Sequence, residues 1–161
     1  MFVRYYTHVE RDFADLASVF TAQGLPLSER ATDSYRDAER LTVKLHVGSG
    51  GALAKSVELE IKDRYAGPDQ AVLALSWIAT GATALFPRME ADLKIEPLGR
   101  DLTQLSLEGS YEAPMGAPGA VLDRWALHRV AEASVKNLVD RVAQDLETYP
   151  TAATDAGQTG A

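Results

Sequence analysis

Arg124 and His128 stand four residues apart near the start of a long amphipathic stretch, one helical turn from each other. Measured against Leu127 and Leu138 in the apolar stripe, both fall on or beside the side a helix would bury. A guanidinium there can donate two parallel hydrogen bonds to a carboxylate, and an imidazole can take or release a proton. Such a pair suits a carboxylate, hydroxyl or ketone presented to it. Both positions also have plainer uses. An arginine at a stripe edge can send its head to water, and a histidine there can do no more than satisfy a backbone carbonyl.

The other groups suited to acid–base work are Tyr6, His8 and Tyr111. No dyad is evident among them, so no residue is assigned as catalytic and the question of an enzyme stays open. Gly48-Ser49-Gly50-Gly51-Ala52-Leu53 begins like a dinucleotide fingerprint but lacks the final glycine and sits between strands, so it reads as a hairpin turn. There is no phosphate loop with its lysine and no serine nucleophile elbow. His8, His46 and His128 lie far apart, so neither a metal site nor a cofactor is expected. The absence of cysteine excludes disulfides, thiol nucleophiles and thiolate metal sites.

The whole composition narrows the field further. The 161 residues suit one domain, with 46% hydrophobic and 24% charged residues. With 23 acidic against 16 basic residues the net charge is -7, which argues against nucleic acid or an anionic membrane surface as partner. The greasiest stretch, 71–86, is broken by Ser76, Thr80, Gly81 and Thr83 and is too short to span a bilayer. The first residues lack the pattern of a secretory signal, so the expected compartment is the cytoplasm. Residues 1–149 are read as a single domain and 150–161, which carry no large apolar residue after Tyr149-Pro150, as a flexible tail.

The elements that would position these groups follow from periodicity. Residues 2–9 suggest a strand. Phe13, Leu16, Ala17 and Phe20 recur at helical spacing, and Leu27, Ala31 and Tyr35 suggest a second short helix. Apolar and polar residues then alternate over Leu41–Val47, Val57–Ile61, Met89–Ile95 and Leu105–Gly109, which predicts antiparallel strands with one face on the core. The stretch 71–80 is apolar on both faces, so its outer face is either covered or used for association, and a homodimer is one outcome of that. The acidic Glu90, Asp92, Glu96 and Glu108 fit a solvated outer face. A single long helix is expected over about Ala120–Glu147, burying Leu127, Ala131, Ser134, Val135, Leu138, Val142 and Leu146. Trp125 falls off that stripe.

This order resembles the helix-grip superfamily, which includes the START and SRPBCC lipid-transfer domains, the polyketide cyclase/dehydrase-like proteins and the plant pollen allergens. Local phrases carry the likeness: Leu73-Ala74-Leu75-Ser76-Trp77 with Phe86-Pro87, Ile95-Glu96-Pro97-Leu98-Gly99, Leu107-Glu108-Gly109-Ser110-Tyr111 with Pro114 and Gly116, and Arg129-Val130-Ala131-Glu132-Ala133. The resemblance implies an α+β helix-grip fold, with a curved antiparallel sheet of six or seven strands around the C-terminal helix. The seventh strand would have to come from 30–40. It further implies an interior that holds a lipid, sterol or polyketide-like molecule, lined by Leu73, Leu75, Trp77, Leu93, Ile95, Leu105 and Leu107, with Tyr6, Arg124 and His128 as polar contacts. The alternatives are a cyclase or dehydratase, or a noncatalytic module that uses the outer face of 71–80 and Trp125 to meet a partner protein.

Overall fold

The computed structural model describes residues 1–22, 25–45, 57–79, 88–111 and 124–150, with the main chain alone at 39–45, 79 and 124–127. Its elements are β1 (Phe2–Val9), α1 (Phe13–Thr21), α2 (Leu27–Leu45), β2 (Val57–Ala66), β3 (Ala71–Ala79), β4 (Arg88–Gly99), β5 (Leu102–Tyr111) and α3 (Arg124–Thr148). The five strands form one antiparallel sheet in the order β1-β5-β4-β3-β2, so the first strand returns to pair with the last and the other four form a meander.

Side chains in register make rows across the inner face. Tyr5, Leu107, Leu93 and Leu73 form one row; Val3, Gly109, Ala91, Leu75 and Ile61 the next; Tyr111, Met89, Trp77 and Leu59 the one beyond. The alternation in the sequence exists because these positions meet the helices while Glu58, Glu60, Glu90 and Asp92 meet water. A register shift between Ile61 and Asp63 re-aims the end of β2, so that Arg64 pairs with Leu73. Its guanidinium then donates to the main-chain oxygens of Thr21 and Ala22, at 2.7 and 3.3 Å, satisfying carbonyls at the C-terminus of α1.

Three helices roof the inner face. α1 begins where the Asp12 carboxylate accepts from the Ala14 amide at 2.7 Å, buries Phe13, Leu16 and Phe20, and packs on β2, β3 and β4. α3 lies along β1 and β5 and beside α2. It runs parallel to β1: His128 lies against Tyr111 at one end, and at the other the Arg11 side chain donates to the Leu146 and Tyr149 oxygens. Eighteen residues of helix at ~1.5 Å match eight of strand at ~3.3 Å, so both cross the same ~27 Å. Of the stripe expected on this helix, Ala131, Ser134, Val135, Leu138, Val142 and Leu146 are buried. The side chain of Leu127 lies outside the described residues.

α2 corrects the sequence reading twice. It is a helix of 19 residues, not a short one, and the strand expected over Leu41–Val47 is helical through Leu45. Leu41 and Leu45, four apart, satisfy a helical period as well as an alternating one, and the main chain follows the helix in which Leu27, Ala31, Tyr35 and Ala38 are buried. The same helix occupies 30–40, so no seventh strand lies there, and among the described residues the sheet has five strands. α2 runs antiparallel to α3, clasped by Arg30 on Asp145 through two bonds of 2.7 and 2.8 Å and by Arg141 on Asp37 at 2.7 Å. The hairpin expected at Gly48–Leu53, the helix entry near residue 120 and the tail from 151 lie outside the described residues.

Candidate functional site

β5 ends at Tyr111, and β2, β3, β4 and α3 also start or stop at this end of the sheet. Here the inner face changes character. The rows nearer the centre are filled by Leu73, Leu93, Ile95, Leu105 and Leu107, all wholly covered by protein atoms. The row beside Tyr111 has Gly109 against Ala91, so that part of the floor carries almost no side-chain bulk. The strands approach so closely there that a Cβ on Gly109 would sit 2.7 Å from the Ala91 Cβ and 2.9 Å from the Glu90 oxygen. Beyond this dip stand Tyr111, Met89 and Trp77 in one row.

Tyr111 is the polar member of that row. Its side chain is 1% exposed, and a buried phenol needs a partner for its hydroxyl. The partner is Nδ1 of His128, 2.8 Å away, with the two rings stacked at 25°. One turn further along α3, a Glu132 carboxylate oxygen lies 3.1 Å from His128 Nε2. The three groups form a chain from an exposed carboxylate, through an imidazole, to a buried hydroxyl. Glu132 favours the tautomer with its proton on Nε2, which leaves the Nδ1 lone pair for the Tyr111 hydroxyl.

Met1 completes the surroundings. Its sulfur lies 3.2 Å from the Tyr111 oxygen as a second, weaker acceptor, and the main chains of Met1 and Tyr111 are paired. The hydroxyl can therefore turn from His128 to Met1 without losing all hydrogen bonding. If His128 takes up a proton, Nδ1 becomes a donor and the Tyr111 oxygen its acceptor, so the chain accommodates either state. Burial, and after it the negative charge of Glu132, push the Tyr111 phenol above its ordinary value. Tyr111 is thus a hydrogen-bond donor across the neutral range.

The residues singled out in the sequence divide into four groups. Leu73, Leu75, Trp77, Leu93, Ile95, Leu105 and Leu107 share the inner face and are buried. His128 is at the polar end, its side chain 32% exposed. Tyr6 is a correction: it pairs with Ser106 on the opposite face of the sheet and is 56% exposed, its ring near His8. Tyr5, one residue earlier, faces inward and donates to Asp140 on α3 at 3.1 Å. The side chains of Arg124 and Trp125 and the whole of His46 lie outside the described residues. Glu132 and the Tyr111–His128 dyad were not read from the sequence. The four-residue spacing of His128 and Glu132 was a signal in plain view, whereas Tyr111 joins them only through the fold. Among the described residues there is no group of three metal-ligating side chains and no helix long and apolar enough to cross a membrane.

A returning first strand, a meander, two helices between β1 and β2 and a C-terminal helix on the inner face define the helix-grip fold, in agreement with the resemblance in the sequence. No family model and no curated protein matches the sequence. Among solved structures, a conserved protein from Geobacillus kaustophilus is similar over 89% of this chain and 93% of its own, with a TM-score of 0.53 and 14% identity. Norcoclaurine synthase from Thalictrum flavum, solved with dopamine and hydroxybenzaldehyde, matches 94% of this chain and 89% of its own at 14% identity and a TM-score of 0.42. A START superfamily protein from Mycobacterium smegmatis matches 89% of this chain and 97% of its own at 16% identity and a TM-score of 0.32. At such identities the likeness to the Geobacillus protein concerns the fold and nothing finer.

Proposed function

We propose that this protein binds a small, largely apolar molecule at the Tyr111 end of the helix-grip core, with one polar group of the ligand meeting Tyr111 and His128. The observation that carries the reading is the pairing of a polar chain, Tyr111–His128–Glu132, with a low floor at Gly109 and Ala91 and an aromatic wall at Trp77. A few placed polar groups in otherwise apolar surroundings are what a site needs to orient such a ligand. The fully covered leucines of the central rows act as the foundation of the site. The ligand's contacts are Trp77, Tyr111 and His128. Lipid-, sterol- and polyketide-sized molecules are the class to test.

An uncharged environment-sensitive dye such as Nile red should bind with one-to-one stoichiometry and change the emission of Trp77. Ala91→Leu, which fills the low floor, should weaken binding by about tenfold or more while circular dichroism stays native. Absence of binding to the native protein, or binding indifferent to Ala91→Leu in a folded variant, would overturn the reading.

A further inference from the structure

We propose that this site binds an uncharged hydrogen-bond acceptor, such as a ketone or ester oxygen, together with a proton on His128, so that acidification tightens its hold on the ligand. This rests on the ligand reading above and adds the chemical class and its control. Nδ1 of His128, 2.8 Å from the Tyr111 hydroxyl, is the stronger acceptor for the phenolic proton. While the imidazole is neutral, Glu132 at 3.1 Å favours the ring proton on Nε2, and the Nδ1 lone pair engages the phenol. A ligand oxygen then has to displace a good internal bond to reach the hydroxyl.

Protonation of the ring inverts that bond. Nδ1 becomes a donor, the Tyr111 oxygen accepts, and the phenolic proton turns away from the imidazole. The described acceptor left to it is the Met1 sulfur at 3.2 Å, a weak one. A ketone oxygen supplies the missing partner and displaces no bond to nitrogen. The phenol keeps its own proton, since burial and the charge of Glu132 hold it above its ordinary value. By linkage, ligand and proton then favour each other equally. The His128 side chain is 32% exposed, which leaves the ring open to proton exchange with water. Among the described residues, two charged groups face this end. Glu132 on α3 favours the imidazolium, and the Met1 ammonium on β1, which donates to the Tyr111 main-chain oxygen at 2.7 Å, opposes it. The ammonium has further protons for a ligand oxygen in either state of the ring, so it supplies a part of the affinity that His128 does not govern. β3 and β4 turn Trp77 and Met89 inward here and keep Arg88 and Glu90 on the other face, while Arg129, next along α3, is exposed.

The experiment uses valerophenone and pentylbenzene, which share a skeleton and differ in a carbonyl against a methylene. Each is titrated into the full chain by calorimetry between about pH 5.5 and 7.5, the range in which histidines change charge. Buffers of different ionisation heat count the protons taken up. Valerophenone should bind about three- to tenfold more tightly at the acid end, the range of one hydrogen bond, with net proton uptake. Pentylbenzene should bind alike throughout and take up none. His128→Gln keeps an amide oxygen for the Tyr111 hydroxyl and should abolish the gain and the uptake. Glu132→Gln, which removes the charge that favours the imidazolium, should move the rise to lower pH. Equal valerophenone affinity across the range, or uptake shared by pentylbenzene, would overturn the proposal. So would a gain that survives in His128→Gln, which would assign the linkage to the Met1 ammonium. In those three cases the ligand reading stands, because valerophenone still binds; if neither probe binds at any pH, both fall.

Discussion

The Tyr111 hydroxyl, on the last residue of β5, lies 2.8 Å from Nδ1 of His128 on α3, seventeen positions along the chain. This bond ties the end of the sheet to the early turns of the helix that covers it. It also places the one polar side chain of the Trp77–Met89–Tyr111 row against a titratable group. Removing either partner leaves the other with a weaker set of bonds: Tyr111 keeps only the Met1 sulfur for its hydroxyl, and His128 keeps only Glu132. Tyr111→Phe and His128→Ala should each destabilise the fold, and a double-mutant cycle should return a coupling of about 0.5–1.5 kcal/mol. The shift in urea midpoint at constant slope measures it. A coupling of zero would mean the bond contributes nothing.

The raised titration of Tyr111 predicts a loss of stability in alkali. Its folded value exceeds the unfolded value of about 10, so above that pH the unfolded chain releases the proton first. The native state then holds more protons than the unfolded one, and stability falls as pH rises until the folded value is passed. Below pH ~10 the contribution is fully present. Tyr111→Phe should flatten this part of the profile relative to the native protein, with the other tyrosines unchanged in both. Parallel alkaline slopes for the two proteins would contradict it.

Leu138 is 1% exposed on the face of α3 that meets the sheet and α2. Leu138→Ala should cost about 2–5 kcal/mol by the loss of buried methyl groups and the cavity they leave. Chemical denaturation reads the effect directly. A cost under about 1 kcal/mol would show that α3 is not packed there as described.

Gly109 is required by its neighbour, not by its backbone angles. A methyl group at this position would meet the Ala91 Cβ at 2.7 Å and the Glu90 carbonyl at 2.9 Å. Gly109→Ala should therefore cost about 1–3 kcal/mol. Combining it with Ala91→Gly should recover only part, because the Glu90 oxygen is main chain and cannot move out of the way. Full recovery would place the clash entirely on the Ala91 methyl.

Much of the fold was open to reading because each strand's two faces meet different surroundings. Met89, Ala91, Leu93 and Ile95 are buried while Glu90 and Asp92 are exposed, so the alternation appears in the sequence itself. The same holds for the stripe from Ala131 to Leu146 on α3. Composition, the missing cysteines, the antiparallel strands and the gripping helix needed nothing beyond local pattern. Where one pattern fits two structures, only packing decided. Leu41 and Leu45 suit a strand or a helix, and the main chain is helical through Leu45, in a helix that packs on α3 and β2. In β1 both faces carry aromatics, so the side of Tyr6 depended on register: Tyr5 pairs with the buried Leu107, which sends Tyr6 outward. The polar end shows both cases. His128 and Glu132 meet because a helix returns to the same side every four residues, a property of the sequence alone. Tyr111 reaches them only because β5 ends where α3 is laid across the sheet, and that meeting depends on tertiary contacts that no local pattern encodes.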